Sequence, residues 1–480
     1  MKDVKTPSMW SGISVVAALC AILLAVAIGV MWNPSAANLP ARDLGGAQPS
    51  QTGVVEPTGE TSEVTIVAND DMSYTPSRIE VPAGNRLVVT LENHDPLNGH
   101  DLVIGEHETG RVQPGETAVL DAGVITESIQ GYCSVAGHKQ MGMTIDIVVI
   151  EPAAGTSDGG PGTASDAHSG HSAPVAIPDG DGEINEPISA ELPALATDEG
   201  PVTHEVTLTV TEVPLEVAPG LYQTRWTFNG SGVGPTLHGR VGDTFKVTLI
   251  NDGTIGHSID FHAGALAPDE PMRTIAPGEE LVYTFTANRA GIWMYHCSTA
   301  PMSTHIAAGM HGAVVIEPEG LEPVDKQFVL VQSEVYLASA AHSAAEAEEL
   351  DADKIATGTP DRVVFNGIAN QYDQEMFEVV TDERVRFWVL DAGPNVPLSF
   401  HIVGGQFDTL WTEGAYHIKQ GASAWGSDDG GAQVLSLLPA EGGFVELTFP
   451  EAGHYSVVNH IMSEAERGAH GIVKVTDPTK

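Results

Sequence analysis

The sequence predicts an all-β protein, three Greek-key β-sandwiches in tandem behind one apolar helix. Three observations predict it. The 480 residues include 52 glycines and 31 prolines, many in turn-like pairs, which favours short strands over long helices. Runs of alternating apolar and polar residues recur between those turns, as in "SEVTIVA", "RLVVTLEN", "EVTLTVTEV" and "DTFKVTLIN". The blocks also repeat: "GMTIDIVVIEP" at 142–152 matches "GMHGAVVIEP" at 309–318, and "GGFVELTFPEAGHYSVVNH" at 442–460 echoes "GEELVYTFTANRAGIWMYHC" at 278–297.

In chain order, residues 1–32 read as a cytoplasmic N-terminus and a transmembrane anchor. "ISVVAALCAILLAVAIGVMW", Ile13 to Trp32, is about one bilayer of apolar helix. Lys2 and Lys5 precede it, which places the rest of the chain on the extracytoplasmic side of a single-pass cell-membrane protein. Residues 33–60 form a Pro, Ala, Gly and Ser-rich linker, and 61–152 the first sandwich. A second flexible linker occupies 153–202, followed by sandwiches at 203–318 and 319–478. Only "SAAHSAAEAEELDADK", 339–354, reads as a helix.

The net charge of −43 argues against a nucleic-acid partner, because phosphate repels it. Three cysteines make no disulfide framework, and two of them stand beside histidine and methionine, so ligation is their expected use. In the first sandwich these are His100, Cys133, His138 and a methionine. One thiolate, two imidazoles and a weak thioether suit a blue-copper electron-transfer site, and zinc rarely takes methionine. Met141 and Met143 both lie within reach. His94 precedes His100 in its loop and is expected to face solvent.

The second sandwich carries the same parts at His257, Cys297, His305 and Met310. Adjacent residues of a strand face opposite ways, so if Cys297 points into its sandwich, His296 points out. His257 and His262 are an odd number apart, which puts His262 outward too, and Asp260 shares its face. The outward patch His262, His296 and Asp260 is a second metal site lacking at least one ligand. In the first sandwich the neighbour of the cysteine is Tyr132, so that domain is expected to carry electrons only. The third sandwich has no cysteine but offers His401 and His460.

The form C-x4-H-x4-M at 133–143 resembles the ligand loop of plastocyanin-like cupredoxins, and that resemblance selects Met143. Residues 203–478, with "TFNGSGVGPTL", "GHSIDFHAG", "MYHCSTAPMSTHIAAGM", "FHIVGGQFD" and "VVNHIMSEAERGAHGIVKV", resemble a copper-containing nitrite reductase; 61–152 resemble a fused cupredoxin. The resemblance implies two type 1 coppers and one type 2 copper per chain. The type 1 coppers fall to His100, Cys133, His138 and Met143, and to His257, Cys297, His305 and Met310. The type 2 copper falls to His262 and His296, completed by His460 from a neighbouring copy in a homotrimer. It further implies Asp260 and His401 as proton-handling groups, and Val403 crowding the substrate, nitrite. The electron source is expected to be a small redox protein (a cytochrome c or a cupredoxin) or a membrane donor. Two features depart from the family pattern. The loop from Cys297 to His305 is one residue shorter than in many members, and Thr304 stands where a tryptophan often precedes the type 1 histidine, which puts the usual contact with an external donor in doubt. A laccase-like oxidase would need His-x-His pairs, which the sequence lacks, and a non-catalytic electron carrier would leave His262, His296, Asp260 and His401 without a purpose.

Overall fold

One strand arrangement is used three times. In each sandwich the opening strand pairs in parallel with a later one: Thr61–Ala68 with Arg86–Asn93, Thr203–Ala218 with Thr244–Asn251, and Lys326–Val335 with Arg384–Asp391. In each, an antiparallel strand then joins that sheet: Thr117–Val124, Glu280–Thr286 and Gly442–Thr448. The facing sheets repeat as well. Ile129–Tyr132, Gly291–His296 and Gly453–Asn459 each run antiparallel to the last strand of their sandwich. The computed structural model describes residues 57–150, 184–195, 200–423, 426 and 428–478. The expected anchor at Ile13 to Trp32 and most of the second linker lie outside them. Among the described residues no helix is long and apolar enough to cross a membrane.

Strand parity builds the core. From Gly291–His296, Ile292 and Met294 point one way, into a buried cluster with Val329, Val331, Trp388, Leu390 and Phe444 of the third sandwich. Tyr295 and the following Cys297 point the other way, into the interior of their own sandwich with Phe261, Tyr283 and Phe285. Full burial of each such side chain contributes about 1.5–3 kcal/mol, so both faces of this strand are held firmly.

Two sequence expectations change here. Residues 339–354 do not form one helix. They contain a single turn at Ala344–Glu346, and the next helix is Ala352–Thr357. The backbone instead crosses the Leu221–Phe228 strand, where Ala341 and Glu348 carbonyls accept from Tyr222 and Thr224 at 2.9 Å each. Tertiary backbone bonds outweigh a helical propensity of a few tenths of a kcal/mol per residue (about 0–0.7). Residues 184–195, read as linker, pack on the third sandwich: Ala190 joins its core and the Glu191 backbone bridges to Phe328.

Candidate metal centres

Each cysteine stands at the end of a strand and is closed by the same pair of backbone bonds. Cys133 N–H donates to Met143 O at 3.1 Å and Met143 N–H to His138 O at 3.0 Å. Cys297 N–H donates to Met310 O at 3.1 Å and Met310 N–H to His305 O at 3.1 Å. The third sandwich keeps both bonds but changes the side chains: Asn459 N–H donates to Ala469 O and Ala469 N–H to Glu464 O, 3.1 Å each. Asn459 thus stands where Cys297 stands, Glu464 where His305 does and Ala469 where Met310 does, and no thiolate is available there.

In the second sandwich His257, Cys297 and His305 converge and are buried. Cys297 Sγ lies 3.3 Å from His305 Nδ1 and 4.0 Å from His257 Nδ1. His305 rides on a helix, Met302–Ala308, that the sequence did not announce; Gly309, at φ +118°, ends it in the left-handed region and turns the chain toward Met310. Met310 is fully buried. Burial raises the Cys297 thiol, but the His305 and His257 imidazoles outweigh it and hold it well below the usual range. Glu212 Oε1 lies 4.0 Å from His257 Nε2, and Ser258 directs its backbone N–H at Cys297 Sγ, 3.4 Å away.

The first sandwich repeats the arrangement with His100, Cys133 and His138. The two Nδ1 atoms are 3.2 Å apart, and Cys133 Sγ lies 3.9 and 3.6 Å from those of His100 and His138. Burial pushes the Cys133 thiol up to about 12 and the His138 imidazole down to about 3. Met143 is fully buried, whereas Met141 is 45 % exposed, and His94 is exposed as expected. Asp95 and Asp101 went unremarked in the sequence. Asp95 accepts from His100 Nε2 at 3.0 Å, and Asp101 accepts from Ser134 N at 2.6 Å and from Ser134 Oγ at 2.7 Å. Asp101 and Ser258 each follow the first ligand histidine, in "GHD" and "GHS"; superposing those two triplets would have singled them out.

The third cluster is Asp260, His262 and His296. Asp260 pairs with His296 across adjacent strands, and the intervening Phe261 points into the sandwich interior. The Nε2 atoms of His262 and His296 are 3.1 Å apart, and Asp260 Oδ2 lies 3.7 and 3.9 Å from them. Parity therefore sends His296 away from Cys297, but not into solvent: it is 5 % exposed, because the third sandwich covers that face. Burial and the neighbouring His296 lower the His262 imidazole, with Asp260 opposing. His460 and His401 do not join this cluster within one chain. Their rings lie 5.1 Å apart, His401 on the Leu398–Ile402 strand and His460 just past the Gly453–Asn459 strand, and Val403, just past the His401 strand, is 49 % exposed.

The donor sets fit cations. In the first sandwich His100 Nε2–H is committed to Asp95, so its Nδ1 presents a lone pair to His138 Nδ1 and the sulfur. At the outward pair His296 Nδ1–H donates to Cys297 O at 2.9 Å, leaving its Nε2 lone pair aimed at His262 Nε2. Converging imidazole and sulfur donors of this kind are stabilised by a metal ion, which also deprotonates a coordinating thiol outright. Sulfur and two imidazoles with a buried methionine in the same loop suit copper; imidazoles beside a carboxylate suit it as well.

A multicopper oxidase family model matches residues 209–320. The copper-containing nitrite reductase of Neisseria gonorrhoeae is 32 % identical over 292 residues, covering 59 % of this chain and 71 % of that protein. Among solved structures, the copper nitrite reductase of Nitrosomonas europaea is 30 % identical with a TM-score of 0.50, covering 57 % of this chain and 94 % of that one. A copper-containing nitrite reductase from Thermus scotoductus is 26 % identical with a TM-score of 0.50, covering 57 % and 62 %.

Proposed function

The chain belongs to the copper-containing nitrite reductase family, and we propose that it reduces nitrite to nitric oxide and water at the His262–His296 pair. Copper, when bound, supplies one-electron chemistry and, at that pair, an open Lewis-acidic position for an anion. The observation that carries the assignment is the peptide bond between Cys297 and His296. It joins a buried sulfur, placed among His257, His305 and Met310, to an imidazole on the opposite face of the strand beside Asp260.

An electron arriving at Cys297 passes to His296 through that shared backbone. Asp260 holds a proton beside the anion position and gives it to the nitrite oxygen that leaves as water. His401 of the partner subunit is the second proton donor; the Nδ1–H of His401 is fixed on Gln433 O at 2.5 Å, which frees Nε2 for transfer. One N–O bond breaks, one electron is consumed and two protons are taken up. Val403 of the partner subunit crowds the anion position from the apolar side.

The reading allots two type 1 coppers and one type 2 copper to each chain. The first type 1 set is His100, Cys133, His138 and Met143, the second His257, Cys297, His305 and Met310. The type 2 set is His262 and His296 with the partner subunit's His460, in a homotrimer. A half-site that needs a ligand from another copy suits a closed ring. Val403, Leu438, Ile461 and Met462, all exposed in the single chain, lie close in sequence or sheet to His401 and His460, as a subunit contact requires. The first sandwich passes electrons from a small redox protein or a membrane donor to the reductase core. The apolar segment Ile13 to Trp32 anchors the chain in the cell membrane, with the folded domains extracytoplasmic. A laccase-like oxidase is the weaker reading, since Ser298 follows Cys297 where a histidine would be needed.

An anaerobic assay on the copper-loaded protein tests this. Nitric oxide is expected in step with nitrite consumed, with three coppers per chain. Two coppers and no nitric oxide would leave an electron carrier.

A further inference from the structure

The first sandwich does not merely hang from a tether beside the core. Its two ligand loops meet the two ligand loops of the second sandwich. Gly137, next to His138, faces Pro301 and Thr304, the latter next to His305. A Cβ on Gly137 would lie 2.5 Å from Pro301 Cγ and 3.1 Å from Thr304 Oγ1, so only glycine permits the approach, and its φ of +86° suits glycine as well. In the other loop pair, Gly256 N–H, beside His257, donates to Asn98 Oδ1 at 3.1 Å, and Asn98 in turn donates to Asp95, the carboxylate that holds His100.

Further bonds hold the first sandwich to the second, through Thr254, and to the third, through Glu349 and Asp353. Arg111 donates to Thr254 Oγ1 at 3.0 Å and to Glu349 at 3.3 Å, and Gln140 donates to Asp353 at 3.0 Å. One continuous buried apolar cluster runs through both sandwiches and includes Cys133, Met143, Cys297 and Met310. Thr304 is 3 % exposed and His305 is buried, so neither offers an edge to a diffusing protein.

We propose that the Gly137–Pro301 contact is the electron junction of this protein and that it closes the core's sulfur centre to external donors. The proposal rests on the relay from the first sandwich described above and specifies its route. The electron leaves the first centre through the His138 ring, crosses from Gly137 to Pro301 and Thr304, and enters the second centre through His305. The first centre is oxidised by one electron, the second is reduced by one, and no bond breaks and no proton moves. Thr304, the departure from the family pattern, acquires a reason: a small residue is needed where the partner domain's loop fits against it.

The test uses the full-length copper-loaded protein and three variants, read by flash-induced electron injection with the thiolate-to-copper absorption followed at each centre. Gly137→Asn adds bulk at the contact while asparagine tolerates the positive φ. Transfer from the first centre to the second is expected to slow by at least about tenfold with both absorption bands intact, because geometry-dependent steps lose up to about 10²-fold per 1 Å of misplacement. Gln140→Ala, which removes the exposed bond to Asp353 away from the contact, is expected to leave the rate within about twofold, well short of that geometric loss. Transfer in Gly137→Asn as fast as in the parent, or slowed only in Gln140→Ala, overturns the junction. Cys133→Ala separates the underlying reading. If a donor protein reduces its core as fast as the parent's, the relay itself is wrong. If Cys133→Ala is slow but Gly137→Asn is not, the relay stands and only the junction is wrong. Should Gly137→Asn fold poorly, Pro301→Gly removes the contact from the other side and is read the same way.

Discussion

Asp260 and His401 hold the same station in two successive sandwiches. Asp260 pairs with His296, one residue before Cys297, and His401 pairs with Val458, one residue before Asn459. The two proposed proton donors are therefore products of one repeat. In the second sandwich that station lies beside a metal half-site, and in the third it lies beside His460. On the proposed assembly, a second copy of the chain brings the two stations together.

Asp260→Asn keeps the size of the side chain and removes its proton chemistry. Nitrite turnover is expected to fall by about 10²-fold or more, the usual worth of one acid–base group. Copper content and the visible absorption of both sulfur centres should stay as in the parent. Turnover within a few-fold of the parent would take Asp260 out of the reaction.

Chains carrying His262→Ala and chains carrying His460→Ala should each be inactive. Assembled together in equal amounts, they are expected to recover activity at about a quarter of the sites, the share of ring interfaces that combine both intact surfaces. No recovery in mixed assemblies, once their formation is shown by mass, would mean that His460 does not act across subunits.

Met143 and Met141 give a paired test within one loop. Met143→Gln is expected to shift the potential and the absorption of the first centre, because the weak axial ligand tunes both. Met141→Gln, at an exposed position, should change neither. The reverse result would reassign the thioether.

Asp391 sets a pH dependence apart from any metal ligand. Burial raises its carboxyl well above the usual range; its Oδ1 accepts from Gln332 and Gly393, while its Oδ2 has no partner. The native chain then holds this proton more tightly than the unfolded chain does. Its contribution is greatest below the unfolded value of about 3.9 and declines as pH rises toward the folded one, by up to about 1.4 kcal/mol per pH unit. Asp391→Asn is expected to flatten the fall of the thermal midpoint between pH 5 and 8. An identical slope in both proteins would show that Asp391 ionises freely.

The sequence by itself determined the periodicities, and much follows from them. Alternation and turns specified three β-sandwiches because a strand buries every second residue. The same alternation separated His296 from Cys297 before any coordinates were considered. The matched spacing of His100, Cys133, His138 and Met143 with His257, Cys297, His305 and Met310 was legible because ligand loops are short and local. Tertiary structure decided what covers each face. Whether His296 meets solvent or the third sandwich depends on Ile292, Met294, Trp388 and Phe444 finding one another across nearly a hundred residues or more. The coiling of 339–354 across a neighbouring strand, and the seating of Gly137 against Pro301, likewise rest on contacts between distant segments. A one-dimensional pattern carries no record of such contacts, because burial there is shared by partners that local spacing does not relate.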